Sequence, residues 1–164
     1  MASNRNLDAV GTMARRGLLL GGALLLATST SRSAAADLPL ARALPQHLAA
    51  ALARGLPLTV MVSLPNCPFC KVVRDSHLAP LLRDQALAVV QVDMGSTLPL
   101  LDGGGQPLTH AEQVQRWGVK VAPSLLFFGR QGKEVAERLV GALLPDFYGA
   151  YLSQRLETAR QSLA

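Results

Sequence analysis

The stretch LTVMVSLPNCPFC, residues 58–70, joins an apolar run to a segment with helical spacing through two cysteines. The run from Leu58 to Leu64 contains β-branched residues and is typical of a buried strand. Cys67 and Cys70 are the only cysteines of the 164-residue chain. A C-x-x-C pair between a strand and a helix indicates a redox-active dithiol, because the helix N-terminus favours the thiolate of the first cysteine.

Other uses of a cysteine pair fit the sequence less well. A structural zinc site needs four ligands, whereas the chain offers no further cysteine and three scattered histidines, His47, His77 and His110. A c-type haem needs a histidine directly after the second cysteine, and Lys71 stands there. A purely structural disulfide closing so short a loop would add little stability. We therefore predict a working dithiol that needs no metal and no organic cofactor.

The first 36 residues have the order of a secretory signal peptide. Arg15 and Arg16 precede a short apolar run, Gly17 to Ala27, and Ala34–Ala36 supplies small residues for cleavage. The run is shorter than the roughly 20 residues that a transmembrane helix needs. The paired arginines resemble a twin-arginine signal, so either export route is open. An uncleaved anchor is the alternative to cleavage after Ala36.

Removal of that segment would leave residues 37–164, the length of one ordinary domain, without a membrane span. The formal net charge of the whole chain is +5. Four arginines and one aspartate within residues 1–36 account for +3 of it, which leaves +2 for the remainder. Since no basic cluster remains, no nucleic-acid partner is predicted.

Helices and strands alternate along residues 37–164. Apolar spacing predicts helices over 41–54, 67–82, 109–117 and 145–162, and strands over 58–64, 87–93, 124–128 and 133–140. Pro80 should kink or end the second helix. Gly95 to Thr109 is glycine- and proline-rich without a period, which predicts a long surface loop. Thr109 and Glu112 form the pattern of a capping box at the start of the third helix.

The last helix is expected to bury one apolar face. That face comprises Phe147, Tyr151, Leu152 and Leu156.

This order of elements resembles the thioredoxin fold over about Leu58 to Leu156. The specific marks are the two cysteines, Pro123 before the third strand, the glycine hairpin at 129–132 and Gly141. The resemblance implies an α/β domain over 58–164, with a central mixed four-stranded sheet flanked by helices. Residues 37–57 would add an N-terminal helix and linker. With a signal peptide, the chain is similar to periplasmic thioredoxin-like proteins, including those associated with sulfur oxidation.

The resemblance also implies roles for individual residues. Cys67 would attack a substrate disulfide and Cys70 would resolve the mixed disulfide. Pro123 corresponds to the cis-proline that faces the dithiol in the family, and the backbone of Ala122 would pair with a bound peptide. Phe69 would supply an apolar contact beside the sulfur atoms, although packing alone would explain it equally well.

Some positions depart from the family pattern. Met61 stands where many thioredoxins keep a buried aspartate, Val89 replaces a nearby lysine, and Asn66 replaces the tryptophan before the first cysteine. Lys71, Asp75 and water all stay open as the group that helps Cys70 lose its proton. The glutathione-binding signature of glutaredoxins is missing after residue 141.

Two functions are compatible with these residues. The leading one is a periplasmic thiol–disulfide oxidoreductase that acts on exported thiol and disulfide proteins, as a reductant rather than an oxidant. It would need a membrane redox donor or acceptor, and the lack of a visible dimerisation domain favours a monomer. The alternative is a binding protein of the same fold, either a thiol chaperone or a metal carrier. His77, a third candidate ligand, lies about 10 Å further along the helix from Cys70.

Overall fold

The computed structural model describes residues 37–142 and 145–164. The segment 1–36, on which the signal-peptide prediction falls, lies outside the described residues. The strands are β1 (Leu58–Ser63), β2 (Ala88–Asp93), β3 (Pro99–Leu101), β4 (Pro107–Thr109), β5 (Ser124–Phe128) and β6 (Glu134–Val140). The α-helices are α1 (Leu44–Ala53), α2 (Pro68–Val72), α3 (Ala79–Arg83), α4 (His110–Arg116) and α5 (Pro145–Gln161). None of the described helices combines the length and apolar character that crossing a membrane requires.

Four strands form one mixed sheet in the order β2-β1-β5-β6. Strand β1 runs parallel to β2, with Val60 opposite Val90, and antiparallel to β5, with Val60 opposite Leu126. Strand β6 is antiparallel to β5 and pairs Val140 with Ser124. The predicted mixed four-stranded sheet with flanking helices and an added N-terminal helix is therefore confirmed.

The two faces of the sheet bury two separate cores, because successive side chains of a strand point to opposite faces. The first core packs α2 and α5 against Met61, Leu125 and Phe127, and it contains Cys70. The second core packs α1 and α4 against the opposite face, which carries Val60, Val62, Val90, Val92, Leu126 and Phe128. Only the first core reaches the cysteine pair.

Residues 39–41, which precede α1, are extended rather than helical. The amide of Gln91 donates to the Pro39 carbonyl, and the amide of Ala41 donates to the Gln91 carbonyl, both at 2.8 Å. These bonds extend the sheet beyond β2. The prediction of a helix from residue 41 was wrong at its start, because backbone pairing with β2 holds residues 39–41 extended and Pro45 lies in the first turn of the helix.

The helical run after the cysteines continues past Pro80. Between α2 and α3 the residues Val73–Leu78 form a π-helix, and the Ala79 amide donates to the carbonyl of Arg74, five residues back. A wide turn directly before Pro80 accommodates the missing N–H of the proline. The helical run therefore ends at Arg83. Of the two outcomes predicted for Pro80, a kink or a helix end, the structure excludes the end and has a π-helical irregularity directly before the proline.

The predicted surface loop between Gly95 and Thr109 contains a small antiparallel hairpin. Strands β3 and β4 pair Leu100 with Leu108, and both side chains are buried. The Asp102 carboxylate closes the turn by accepting the amides of Gly104 at 2.9 Å and Gln106 at 2.8 Å. The loop prediction was wrong because strands of three residues are too short to show a period.

The capping box predicted at the start of α4 is confirmed. The Thr109 hydroxyl accepts the Glu112 amide at 3.3 Å, and the Glu112 carboxylate accepts the Thr109 amide at 2.7 Å. These two bonds satisfy donors that the helix leaves free at its N-terminus. The capping bond from the Thr109 amide is the largest cause that lowers the pKa of Glu112.

The buried face of α5 matches the prediction at Leu152 and Leu156 and differs from it at Phe147 and Tyr151. Tyr148, Leu152, Leu156 and Ala159 are buried, whereas Phe147 and Tyr151 are exposed. Residues spaced four apart form rows along the helix. Two neighbouring rows of α5 each begin with an aromatic residue, one with Phe147 and the other with Tyr148. Sequence spacing does not decide between two such neighbouring rows.

Candidate active site

The cysteines lie at the junction of the β1 loop with α2 and are joined as a disulfide, with Cα atoms 5.2 Å apart. Cys67 occupies the N-cap position of α2, and its Sγ accepts a hydrogen bond from the Cys70 amide at 3.1 Å. Pro68 occupies the first turn, where its missing N–H costs nothing. Cys67 is half-buried, whereas Cys70 is 1% exposed. Only one of the two sulfur atoms is therefore open to a partner.

The surroundings of Cys70 are apolar. Met61 is fully buried and Val89 nearly so, and both belong to the core that contains Cys70. The buried polar side chains of residues 37–142 and 147–164 are Thr59, Ser63, His110, Gln113 and Ser124, none of which is a carboxylate or an amine. Tyr148 shares the core with Cys70, and burial raises the pKa of its phenol far above the ordinary value.

Pro123 lies beside the loop that carries Cys67. Strand β1, which leads into this loop, pairs Val62 with Ser124 directly after Pro123. The Ala122–Pro123 peptide bond is cis. The Pro123 ring is buried, its carbonyl accepts the Gly141 amide at 2.8 Å, and Ala122 is half-buried against the core that also contacts Cys67.

Several exposed apolar side chains surround these segments, and we call them the apolar rim. Phe69, between the two cysteines, is 59% exposed, and Val72 follows one turn later on the same helix. Val121 precedes the cis peptide, and Val140 pairs with Ser124 at the end of β6. Large apolar side chains left in water near one another are typical of a surface that contacts other proteins.

A different surface lies on the β2 side of Cys67, and we call it the charged cleft. It has a volume of about 700 Å³. Its lining comprises Asp37, Leu64, Pro65, Asn66, Cys67, Pro68, Lys71, Arg74, Asp75, Gln91 and Asp93. This volume is in the range of small-molecule sites in proteins.

A chain of hydrogen bonds crosses the charged cleft. The Arg74 guanidinium donates through Nε to Gln91 Oε1 at 3.1 Å and through Nη2 to Ser63 Oγ at 3.3 Å. Gln91 Nε2 donates to Asp93 Oδ1 at 2.6 Å. Lys71 and Asp75, one helical turn apart, form an ion pair at the edge of the same cleft.

Sequence reasoning did not identify Arg74 and Gln91 as site residues. Arg74 lies in the π-helical turn and Gln91 in β2, so tertiary packing alone brings them together. The one indication of these residues in the sequence was the polarity of β2, because Gln91 and Asp93 interrupt an otherwise apolar buried strand. His77, considered as a metal ligand, packs against Tyr148 with tilted rings and a ring-centroid distance of 5.0 Å. No group of three or more metal-binding side chains occurs within the described part of the chain.

Comparison with known proteins identifies the family. Residues 44–156 match the family model of a thioredoxin-like domain, and the chain belongs to this family. The suspected resemblance to the thioredoxin-like superfamily is thereby confirmed. No curated protein sequence matches the chain.

Several solved structures are similar to the chain. An oxidoreductase named DsbH superposes with a TM-score of 0.51 at 18% identity, over 82% of this chain and 92% of that one. The periplasmic thioredoxin SoxS from Paracoccus pantotrophus gives 0.42 at 22% identity, over 63% and 98%. Thioredoxin O2 from Arabidopsis thaliana gives 0.47 at 16% identity, over 70% and 93%. At 18% identity, the likeness to DsbH shows the fold alone.

Proposed function

We propose that this protein is an exported thiol–disulfide oxidoreductase that works in the periplasm, as a reductant rather than an oxidant. The observation that carries the proposal is the asymmetry of the cysteine pair. Cys67 is accessible at a helix N-terminus, and Cys70 is buried directly behind it. This arrangement lets a partner reach one sulfur atom while the second is kept for resolution.

The reaction begins from the dithiol form. The Cys67 thiolate, favoured by the N-terminus of α2, attacks one sulfur of a substrate disulfide and releases the other as a thiolate. A mixed disulfide results. The Cys70 thiolate then attacks Cys67 Sγ, which re-forms the Cys67–Cys70 disulfide and releases the second substrate thiolate. Two electrons pass from the protein to the substrate, and the same steps in reverse would oxidise a dithiol.

The apolar rim is the proposed docking surface for protein substrates. Phe69 would contact apolar residues next to the substrate disulfide. The backbone of Ala122, before Pro123, would pair with an extended substrate segment as an added strand does. Both positions flank the accessible sulfur.

The sequence supports the proposed compartment and partners. The signal-peptide pattern over residues 1–36 supports export, and exported thiol or disulfide proteins would be the substrates. Because the dithiol is consumed in each reduction, turnover requires a redox donor reaching across the membrane, or an acceptor in the opposite direction. We propose that the domain acts as a monomer.

Serine replacement of each cysteine tests the proposal. Cys67→Ser should abolish reduction of insulin disulfides by the reduced protein. Cys70→Ser should still attack and should accumulate mixed disulfides visible on non-reducing gels. Unchanged insulin reduction by Cys67→Ser would refute the oxidoreductase. Copper titration of the reduced protein tests the alternative, since a carrier would bind stoichiometrically and tightly.

A further inference from the structure

Arg74 is a cation with spare hydrogen-bonding capacity inside the charged cleft. Its two bonds go to the neutral groups of Gln91 and Ser63, and no carboxylate lies within ion-pair distance of it among residues 37–142 and 147–164. A guanidinium carries five N–H donors, so donors on Nη1 and Nη2 stay free. A pair of such donors is the preferred partner of a carboxylate.

Asp93 is the opposite charge in the same cleft. Its Oδ1 accepts the Gln91 amide, and within the described ranges its side chain has no cationic partner. Gln91 thus separates a guanidinium from a carboxylate, each with unused capacity toward the cleft. Lys71 and Asp75 already neutralise each other. Asp37 is exposed at the cleft and is therefore screened by solvent.

The reactive sulfur lies in the lining of the same cleft. Arg74 follows Cys67 by seven residues along the helical run, a rise of about 10 Å. A ligand whose disulfide meets Cys67 and whose leaving half extends along the helix would bring its terminal groups toward Arg74 and Asp93. A peptide chain of protein size would instead need an open surface such as the apolar rim.

We propose, on the basis of the oxidoreductase function above, that the charged cleft binds small disulfides carrying both a carboxylate and an ammonium group. Arg74 binds the carboxylate and Asp93 binds the ammonium group of the leaving half. The Cys67 thiolate attacks the nearer sulfur and the leaving half departs as a thiolate. Cys70 then displaces the bound half, so one small disulfide becomes two thiols while the protein dithiol becomes a disulfide. Free cystine and glutathione disulfide share this chemistry.

Four small disulfides separate the contributions of the two charges. Cystine carries both groups, dithiodipropionate carries only carboxylates, cystamine carries only ammonium groups, and hydroxyethyl disulfide carries neither. The reduced protein, freed of reductant, is mixed with each, and the oxidation rate is followed in single turnover. The rate with each disulfide is divided by the rate at which a small dithiol reduces the same disulfide. This ratio removes differences in intrinsic reactivity among the disulfides. Glutathione disulfide is added as a fifth substrate to distinguish it from cystine.

Charge-removing variants assign the residues. Arg74→Gln should slow the reactions of cystine and dithiodipropionate about tenfold, the typical effect of losing a charged hydrogen bond, and leave cystamine unchanged. Asp93→Asn should slow cystine and cystamine and leave dithiodipropionate unchanged. Arg83→Gln and Asp84→Asn, at exposed positions outside the cleft, are matched controls that should change none of the rates.

The possible results separate this inference from the proposed function. If all normalised rates agree and Arg74→Gln matches Arg83→Gln, the cleft has no such ligand and the inference is wrong, although insulin reduction persists. If the reduced protein reacts neither with hydroxyethyl disulfide nor with insulin, the oxidoreductase function itself is wrong. A preference for glutathione disulfide over cystine that Arg74→Gln removes would support the inference and identify the larger ligand.

Discussion

The two sides of Cys67 differ in chemistry and in how they are built. The apolar rim consists of exposed side chains on short local segments: Phe69 lies between the cysteines, and Val121 and Val140 lie next to Pro123. The charged cleft consists of polar groups from β2 and the π-helical turn, linked by hydrogen bonds. Since both surfaces border one accessible sulfur, each can select a different substrate while the redox chemistry stays the same.

The charged cleft also depends on His110, a residue outside its lining. The buried ring of His110 lies between Ala41 and the end of β2. Its Nε2 is 2.8 Å from the Ala41 carbonyl, and its Nδ1 accepts the Asp93 amide at 3.0 Å. His110 therefore holds the backbone that carries the cleft carboxylate.

Replacement of His110 should have the largest effect and should affect one side only. His110→Phe leaves the Ala41 carbonyl and the Asp93 amide without partners in a buried position, which should lower the free energy of unfolding by about 2 kcal/mol. The folded fraction should react more slowly with cystine while its insulin reduction stays normal. Urea unfolding and the two rate assays measure these effects.

Gln113→Leu is the matched control for that variant. Gln113 is buried on the same helix, but its Oε1 has no hydrogen-bond partner, so its loss should not destabilise the fold comparably. Equal destabilisation by the two variants would contradict the anchoring role of His110.

A substitution on the apolar rim should have the complementary effect. Phe69→Ser removes the largest exposed apolar contact beside the disulfide and should lower kcat/KM for insulin about tenfold, in the range of a lost apolar anchor. The rate with hydroxyethyl disulfide should not change, because Cys67 is untouched. Phe147→Ser, at an equally exposed phenylalanine on α5, is the control. An equal loss of kcat/KM in Phe69→Ser and Phe147→Ser would mean that the apolar rim is not a specific docking surface for insulin.

Ionic strength should distinguish reactions at the charged cleft from reactions that do not use it. The expected change in rate is smaller than that caused by the substitutions above. Raising the ionic strength from 0.1 M to 1 M shortens the Debye length from about 10 Å to about 3 Å. Reactions of cystine should slow by about threefold, whereas those of hydroxyethyl disulfide should hold nearly constant. Equal salt dependence of both reactions would contradict an electrostatic cleft.

The smallest expected effect is on pH-dependent stability. Burial lowers the pKa of His77, which packs on Tyr148, below its ordinary value of 6.5. The unfolded chain therefore takes up a proton at higher pH than the folded one, so stability should fall as the pH drops below about 6.5. His77→Phe should reduce this fall in urea unfolding between pH 7.5 and 5.5. The pKa of His47 is lowered in the same way, so part of the fall should persist.

The sequence predicted those parts of the structure that local patterns encode. Strands β1 and β5 are continuous apolar runs, the Thr109–Glu112 capping box is a local motif, and the cysteine pair has a fixed spacing. Each of these was predicted from its residues and is present in the structure.

Features that depend on tertiary packing were missed. The β3–β4 hairpin has strands too short for a period, and its stability comes from burying Leu100 and Leu108. The π-helical turn before Pro80 was not predicted, because a proline locally indicates only a kink or an end of the helix. The charged cleft joins Arg74 to Gln91 across 17 positions, a contact that no local pattern reveals.

The central claim is that Cys67 and Cys70 form a reversible dithiol that donates electrons. Its most direct test is the reduction potential of the pair, measured by equilibrating the protein with glutathione buffers of defined ratio. We predict a value near about −270 mV, the region of thioredoxin, which requires an electron donor for turnover. A value near about −120 mV, the region of strong oxidants, would contradict the account and indicate a protein that installs disulfides.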